Sequence, residues 1–383
     1  MNKYSFLDKD HLKQLLLPHS AEDVKVFSVE PYAIDNSASI LVTLTAQETD
    51  RRIGHFGLNL NWALKGKDRQ DRLVLKVKPP GHEIASMLGG LAVASDTKLG
   101  AVYEQHVATT GFVNTHLREI EVYKELSHAI QPGFFGYQLD QNQDRYEILM
   151  EDLSDCALLN SVMQVELWSD DHLHRALSDM ANWHVFAKAN LHVLNFSAWQ
   201  DTDHKKYWIQ EAPLWHMLLV SGKRNFPAFY ANGVYEALSA GLNQVEELAD
   251  QFWVIPKTLV HNDANPRNAC FRSDGRFCLY DWELSCKHVP AYDIIELLSF
   301  VLEENRFNKV DHFLNYYRKQ LVIEWPIWED DKLWNQSLQL AWYSFGWLRL
   351  GLYTMAHAVA PYPFLPRVHR AYAAIGAHLG ILN

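Results

Sequence analysis

The chain has 383 residues, 48% of them hydrophobic, and 35 basic residues against 46 acidic ones give a formal net charge of −11. This composition excludes a disordered chain, a collagen-like chain and a disulfide-stapled miniprotein. The acidic balance gives no global support to nucleic-acid binding, which depends on a basic face. Since a single hydrophobic core stops growing at about 250–300 residues, we expect two domains.

The four cysteines contain no C-x-x-C pair, so we expect free, reduced thiols. The beginning of the chain lacks the apolar run that is typical of a secretory signal. The most apolar window, residues 341–365, contains Arg349 and two prolines, and we do not expect it to span a membrane. We therefore expect a cytoplasmic protein with neither nucleic-acid nor membrane partners.

Short strands and one helix alternate in the first 150 residues. Residues 24–32 and 39–45 are β-rich runs separated by a turn-forming break, which predicts an antiparallel hairpin. Residues 72–78 predict a third strand, and residues 134–139 and 146–150 predict two more. Apolar residues three positions apart predict a helix that begins near Asn114. The glycine-rich segment 81–111 is interpreted as irregular.

The rest of the chain is predicted to be mainly helical. Amphipathic patterns indicate helices at 172–190, 233–252, 292–305, 309–324 and 332–358. Residues 258–261 and 277–280 are strand-like, and residues 273–276 predict a turn before the second of them. A strand-rich region followed by a helical one indicates an α+β architecture.

The densest polar cluster runs from His261 to Asn268 and is followed by Asp281 and Glu283. Both groups follow a strand, so a hairpin would bring Asp281 beside Asn268. A carboxylate and an amide at one point suit magnesium, which prefers oxygen ligands. Asp263 could then accept a proton from an alcohol while the metal neutralises a departing phosphate.

The pattern His261-x-Asp263-x4-Asn268 followed by Asp281 resembles the signature of the aminoglycoside phosphotransferase, choline kinase and ecdysteroid kinase superfamily, small-molecule kinases that share the protein-kinase fold. The resemblance implies that Asp263 is the catalytic base and that His261 braces the catalytic loop. It assigns Asn268 and Asp281 as magnesium ligands. It also implies Mg²⁺ as cofactor, ATP or GTP as phosphate donor, and a small-molecule acceptor. A later P-x-x-D motif that ends at Asp293 resembles the family's support for the site.

The resemblance extends upstream. Lys76 matches the third-strand lysine that holds the α- and β-phosphates, and Glu119 matches the helix glutamate that pairs with it, with Glu121 as the competing choice. The segment that precedes residue 153 resembles the hinge, where the backbone of Met150, Glu151 and Asp152 would meet the purine edge.

The resemblance also implies a domain organisation. Residues 1–150 would form a small β-rich nucleotide-binding lobe, residues 151–156 a hinge, and residues 157–383 a larger, mainly helical lobe that binds the acceptor. The loop after the first strand has no glycine, unlike that of protein kinases. Asn36, Ser37 and Ser39 are assigned to phosphate contact there.

The favoured function is a Mg-ATP-dependent kinase that transfers the γ-phosphate to a hydroxyl of a small molecule, such as an amine-bearing metabolite, a natural product or an antibiotic. Two alternatives stay open: a pseudokinase that binds nucleotide as a scaffold, and a metal-dependent hydrolase with His261, Asp263, Asp281 and His288 as ligands. Glu283 is either a structural acid or a second metal contact.

Overall fold

A five-stranded antiparallel sheet with strand order β1-β2-β3-β5-β4 forms the N-terminal part of the protein. The computed structural model describes residues 7–16, 24–34, 53–140 and 145–382. The strands are β1 Val24–Tyr32, β2 Gly54–Leu64, β3 Lys67–Lys78, β4 Phe134–Asp140 and β5 Arg145–Glu151. β1 pairs with β2, a strand that the sequence pattern did not predict. The predicted strand 39–45 lies outside the described residues.

Helix α1, Lys9–Leu16, packs on the sheet. Its Leu12 and Leu15 are fully buried in an apolar cluster that includes Leu58 and Leu75 of the sheet. Gly136 of β4 permits this contact, because a Cβ atom there would lie 1.9 Å from the carbonyl oxygen of Leu15. Only glycine therefore fits where α1 ends against β4.

A tight turn sets the register of β2 and β3. Lys65 and Gly66 have φ values of 50° and 73°, the left-handed values that a two-residue hairpin turn of this hand requires. β3 begins at Lys67, earlier than the predicted 72. Because side chains alternate along a strand, Lys76 and Lys78 emerge on the same face of β3.

Three helices lie between β3 and β4: α2 Gly81–Ser95, α3 Thr97–His106 and α4 Thr115–Glu125. The interpretation of 81–111 as irregular was wrong, because α2 and α3 pack against each other and cover apolar residues of later helices. The helices after β5 are α5 Asp170–Asn190, α6 Tyr207–Asn225, α7 Val234–Asn243, α8 Val245–Val254, α9 Ala291–Val301, α10 Val310–Glu324, α11 Asp331–Ser344, α12 Leu350–His357 and α13 Leu365–His378. The predicted helix 233–252 is thus two helices, and α6 and α13 were not predicted.

Two short antiparallel strand pairs flank the polar cluster of residues 261–268. β6 Thr258–Val260 pairs with β9 Cys286–His288, and β7 Ala269–Phe271 pairs with β8 Phe277–Leu279. The turn predicted at 273–276 joins β7 to β8. Ala269 lies opposite Leu279, so the residue before β7 and the residues after β8 are neighbours.

The long predicted helix 332–358 contains a π-helical segment. Residues Phe345–Arg349 form this segment, which follows α11 and leads directly into α12. A π-helix is rare and often marks a functional site. Here it determines which face of the helix carries Arg349.

The predicted α+β class is confirmed: a β-rich N-terminal sheet is followed by a larger, mainly helical region. The main apolar core lies in the helical region, where every residue of α9 is buried. Among the described helices, none combines the length and apolarity needed to cross a membrane. The lobe boundaries at residues 150 and 157 stay a prediction.

Candidate active site

A cavity of about 500 Å³ is lined by residues of the sheet and of the helical region. The predicted site residues that line it are Lys76, Met150, Glu151, Asp152, Asp263, Asn268 and Asp281. Glu119 and His261 are fully buried behind this lining. Asn36, Ser37 and Ser39 lie outside the described residues.

Two lysines on β3 form ion pairs with three carboxylates, and we call these five residues the lysine cluster. Lys76 pairs with Glu119 of α4, and its Nζ lies 2.6 Å from Oδ1 of Asp281. Lys78 pairs with Glu283 and lies 3.3 Å from the same oxygen of Asp281. Both lysines are buried, at 3% and 5% exposure. The lysine cluster therefore joins the sheet to α4 and to the loop after β8.

Glu119 has a second partner, which orients it toward Lys76. The hydroxyl of Tyr146 donates to its Oε2 at 3.1 Å. Glu121, the competing choice, lies on another face of α4 and accepts a bond from the backbone N–H of Asn195 at 2.7 Å. The geometry therefore favours Glu119 as the partner of Lys76.

Burial and charge act in opposite directions within the lysine cluster. Burial would raise the pKa of Asp281, but Lys76 and Lys78 hold that pKa well below its usual range. Burial and the neighbouring charge of Asp281 raise the pKa of Glu283 to about 7. With all groups charged, three carboxylates face two ammonium groups, which leaves an excess of negative charge.

Asp263 is surrounded by hydrogen-bond donors. Its Oδ1 accepts from Nη2 of Arg349 at 2.6 Å, from the hydroxyl of Tyr353 at 2.7 Å and from Nδ2 of Asn265 at 2.8 Å. Arg267 also lines the cavity, and its Nη1 lies 3.5 Å from the Tyr353 hydroxyl. We call these five residues the Asp263 cluster.

The other carboxylate oxygen of Asp263 is less occupied. Its Oδ2 accepts from Nδ2 of Asn268 at 2.8 Å, and no other donor among the described residues bonds to it. Burial would raise the pKa of Asp263, but Arg349 and Arg267 lower it below its usual value. Asp263 is therefore ionised at neutral pH, with one oxygen able to accept a further hydrogen bond from a ligand.

Asn268 and Asp281 are held side by side by the β7–β8 pair. The backbone N–H of Tyr280 donates to the backbone carbonyl of Asn268 at 3.0 Å. Asp281 has φ 67°, a left-handed value that turns the chain directly after β8. Oδ1 of Asn268 and Oδ2 of Asp281 have no donor among the described residues. Two such oxygens fit the preference of Mg²⁺ for oxygen ligands.

A second group of oxygens could also hold a metal ion. Carboxylate oxygens of Glu119, Asp281 and Glu283 lie within 4.8 Å of one another. Lys76 and Lys78, however, already pair with Glu119 and Glu283. The geometry therefore favours Glu283 as a structural acid over a second metal contact.

Hydrogen bonds to Asp293 and to the carbonyl oxygen of Tyr280 hold His261 and the loop that carries Asp263. Asp293 accepts from the backbone N–H groups of His261 and Asn262 at 2.8 and 2.9 Å, and lies 3.1 Å from Nε2 of His184. Nε2 of His261 donates to the carbonyl oxygen of Tyr280 at 3.0 Å. Burial lowers the pKa of His261, so its ring is neutral. His261 thus ties the Asp263 loop to the end of β8 and does not reach the cavity.

The predicted hinge has its side chains engaged by the protein. Asp152 accepts from the Tyr32 hydroxyl at 2.5 Å and pairs with Nε of Arg72 at 2.7 Å. Glu151 pairs with Arg272 from the β7–β8 pair. The purine of a nucleotide in this part of the cavity would therefore hydrogen-bond to backbone groups of the predicted hinge more readily than to the side chains of Glu151 and Asp152.

Sequence reasoning considered Lys78 only as a rival of Lys76, which the Lys-x-x-Pro spacing favours, and it assigned no role to Arg267, Arg349 or Tyr353. Lys78 had a signal, because a residue two positions from Lys76 on a strand shares its face. Arg349 and Tyr353 had none, since they are 86 and 90 positions from Asp263 in the chain. One helical turn separates them, and this spacing is interpretable only once their partner is known.

The β-rich sheet, the larger helical region and the lysine–glutamate pair beside an aspartate–asparagine loop define a protein-kinase-like two-lobe fold. Residues 170–329 match the model of the phosphotransferase enzyme family APH. This match confirms the resemblance to the aminoglycoside phosphotransferase and choline kinase superfamily that the motifs predicted.

Other known proteins are similar over shorter stretches or at lower identity. An uncharacterised protein of Mycoplasma pneumoniae, the MG356 homolog, is 32% identical over 82 residues, which is 21% of this chain and 29% of that protein. An ethanolamine kinase of Plasmodium vivax is 13% identical, with a TM-score of 0.48 over 97% of this chain and 86% of its own. The choline kinase LicA of Streptococcus pneumoniae is 14% identical, with a TM-score of 0.41 over 96% of this chain and 99% of its own. Both TM-scores are below 0.5, and the resemblance is supported by the family match over residues 170–329.

Proposed function

We propose that the protein is a kinase that uses Mg-ATP to phosphorylate a hydroxyl group of a small molecule. The observation that carries this proposal is the shared cavity, which Lys76, Asp281, Asn268 and Asp263 all line, with Asn268 between Asp281 and Asp263. Kinase chemistry needs a held phosphate chain, a metal ion and a carboxylate that orients the hydroxyl. The cavity contains one candidate for each of these tasks.

Each residue has a separate role in the proposal. Lys76, held by Glu119, would bind oxygens of the α- and β-phosphates. Asn268 and Asp281 would hold Mg²⁺, which neutralises charge on the phosphates when bound. The partly occupied oxygen of Asp263 would accept the hydrogen bond of the acceptor hydroxyl.

The proposed transfer exchanges one phosphorus–oxygen bond for another. The acceptor oxygen forms a bond to the γ-phosphorus while the bond from that phosphorus to the β–γ bridging oxygen breaks, which leaves ADP. The hydroxyl proton passes to Asp263 and then to solvent. Because the low pKa of Asp263 makes it a weak base, positioning of the hydroxyl would contribute more than early proton removal.

The hydrolase alternative is less well supported by the geometry. His288 is buried, hydrogen-bonds to Ser344 at 2.9 Å and lines a separate small cavity. Nε2 of His261 is engaged by a carbonyl oxygen. The described part of the chain therefore does not gather His261 and His288 with Asp263 and Asp281. The pseudokinase alternative gives Lys76, Asn268 and Asp281 a role in nucleotide binding but leaves Asp263, with its partly occupied oxygen, without a task.

Substitution of the proposed base tests the kinase proposal. Asp263→Ala should lower acceptor-dependent ADP formation by roughly 10²–10⁴-fold, because the hydroxyl loses its orienting group. Binding of Mg-ATP, measured by calorimetry, should be largely kept. Asp171→Ala, a change at an exposed position of α5, is the matched control and should retain full activity. Full activity of Asp263→Ala would remove Asp263 from its role, and absence of Mg-ATP binding by the unaltered protein would exclude the kinase.

A further inference from the structure

One wall of the cavity is apolar and belongs to α2. Ile84, Met87, Leu88 and Leu91 line the cavity and follow the i, i+3, i+4, i+7 spacing of one helix face. Met87, Leu88 and Leu91 are only partly buried, so a ligand can contact them. This face of α2 therefore offers a continuous apolar surface to a bound molecule.

The same wall continues onto the helix whose Arg349 and Tyr353 donate hydrogen bonds to Asp263. Arg349, Leu352, Tyr353 and Ala356 all line the cavity and again follow a single face, now across the π-helix and α12. Arg349 and Tyr353 contact Asp263, whereas Leu352 and Ala356 supply apolar surface. An acceptor whose hydroxyl reaches Asp263 would thus place its body beside Leu352 and α2.

The charges around the Asp263 end of the cavity offer little to a cationic acceptor. Each lining carboxylate of the described residues already has a basic partner: Glu151 with Arg272, Asp152 with Arg72, Asp263 with Arg349, Asp281 with Lys76, and Glu283 with Lys78. An ammonium group on the acceptor would lose water without gaining an unpaired carboxylate in this part of the chain. Burial of an unpaired charge is costly.

Arg267 strengthens this argument. It lines the cavity beside Asp263, and no carboxylate lies within ion-pair distance of it among the described residues. The guanidinium group of Arg267 lies close to the hydroxyl and the ring of Tyr353. A positive charge on the acceptor would therefore be repelled at the end of the cavity where the reacting hydroxyl must lie.

We propose that the acceptor is an alcohol with an apolar body and no cationic group, an inference that rests on the proposed kinase function. The apolar body contacts α2 and α12, and the hydroxyl donates to Oδ2 of Asp263. This proposal differs from the amine-bearing metabolite that the sequence analysis gave as one example of an acceptor. Leu88 and Leu352 are then determinants of acceptor specificity.

A pair of alcohols that differ in one terminal group tests the proposal. Binding of 1-octanol and of 8-amino-1-octanol to the full chain is measured by calorimetry without nucleotide, and phosphate transfer to each is measured by phosphorus NMR with Mg-ATP. We expect 1-octanol to bind and to react at least tenfold better. Affinity should also rise about fourfold for each CH₂ group between butanol and octanol.

A charge placed on the wall should reverse this preference. Leu88→Asp supplies a carboxylate where the apolar body lies, so it should weaken 1-octanol binding about tenfold and improve binding of 8-amino-1-octanol. Ser86→Asp adds the same charge at an exposed position of α2 that does not line the cavity, and it should change neither. The comparison of the two alcohols on the unaltered protein remains decisive if Leu88→Asp fails to fold.

The outcomes separate this proposal from the kinase proposal. Binding of 1-octanol, with reversal in Leu88→Asp but no phosphate transfer, supports the apolar site and contradicts the kinase. Transfer to 8-amino-1-octanol or choline at a rate equal to or above that of 1-octanol supports the kinase and overturns the apolar acceptor. Failure of every alcohol of the series to bind also overturns it.

Discussion

The lysine cluster and the Asp263 cluster share one cavity but have opposite charge balances. The first sets three carboxylates against two lysines, whereas the second sets one carboxylate against two arginines. Burial raises the pKa of Glu296, beside Asn265, well above its usual value, so this neighbour adds no negative charge to the second cluster. Because the pKa of Glu283 is about 7, the net charge of the lysine cluster lies between zero and one negative charge at neutral pH, whereas the Asp263 cluster has an excess of positive charge.

This difference indicates which ligand groups suit each end. An excess of carboxylates accommodates a metal ion, and the oxygens of Asn268 and Asp281 would hold magnesium at this end of the cavity. An excess of guanidinium accommodates a transferring phosphate and disfavours a cationic acceptor. The two clusters also differ in support, since one rests on β3 and the other on a loop held by Asp293.

Removal of Lys76 should have a larger effect than a change at Asp293 or Tyr353. Lys76→Met should lower kcat/KM for ATP by roughly 10²–10³-fold, because the phosphates lose a preorganised positive charge. The matched control is Lys67→Met at an exposed position of the same strand, which should retain activity.

Lys76→Met also leaves Glu119 buried without its cation, so a loss of fold must be separated from a loss of chemistry. The double variant Lys76→Met/Glu119→Gln should recover thermal stability without recovering activity. Recovered activity in that double variant would contradict the role of Lys76.

Asp293→Asn should weaken the Asp263 end and spare the lysine end. The charge-assisted bonds to two backbone N–H groups are lost, and we expect the free energy of unfolding to fall by about 2 kcal/mol at neutral pH. Activity should fall while Mg-ATP affinity is unchanged. Asp155→Asn, at a side chain that is 89% exposed, is the control.

The stability difference between the unaltered protein and Asp293→Asn should depend on pH. Burial would raise the pKa of Asp293, but its hydrogen bonds with His184 and with the backbone N–H of His261 lower that pKa below its usual value in the folded state. A depressed pKa contributes stability above the unfolded-state value of about 3.9, and this contribution is lost as pH falls through the folded-state value. The difference should therefore shrink below about pH 4 in urea titrations, and a constant difference would contradict the assignment.

Tyr353→Phe should have the smallest effect and would sharpen the comparison. Asp263 loses one of its donors but keeps Arg349 and Asn265, so kcat should fall about fivefold, equivalent to about 1 kcal/mol. KM for ATP should not change. The pKa of Asp263 should rise, which moves the acid limb of the pH–rate profile upward; an unmoved limb would show that the hydroxyl does not act on Asp263.

Residues close in sequence or on regular elements were predictable. The pairing of Lys76 with Glu119 followed from motif and helix face, and the approach of Asp281 to Asn268 followed from the turn between β7 and β8. Strands β4 and β5 were predicted to within one residue at each end. Local pattern is sufficient where neighbours in the chain are also neighbours in space.

Long-range packing determined what was missed. Helix α2 contains Gly89 and Gly90, which are poor helix formers, yet it is stabilised by contacts with α3 and with later helices. The partners of Asp263 on the π-helix and α12 lie far along the chain and belong to no local motif. Tertiary contacts that override propensity or join distant segments leave no signal in a single sequence.

The π-helical segment 345–349 has a consequence for how the chain tolerates changes in length. A π-helix contains one more residue per turn than an α-helix, so deletion of a single residue there would restore regular α-helical winding. Because the wider turn absorbs the extra residue, α11 and α12 would keep nearly the same relative rotation after this deletion. Trp342 would then stay packed against Tyr372 while Arg349 and Tyr353 still face Asp263. A gap of one residue at this point between two related sequences would thus leave the chemistry of the cavity unchanged, whereas a gap within α11 or α12 would turn one of these faces away by about 100°.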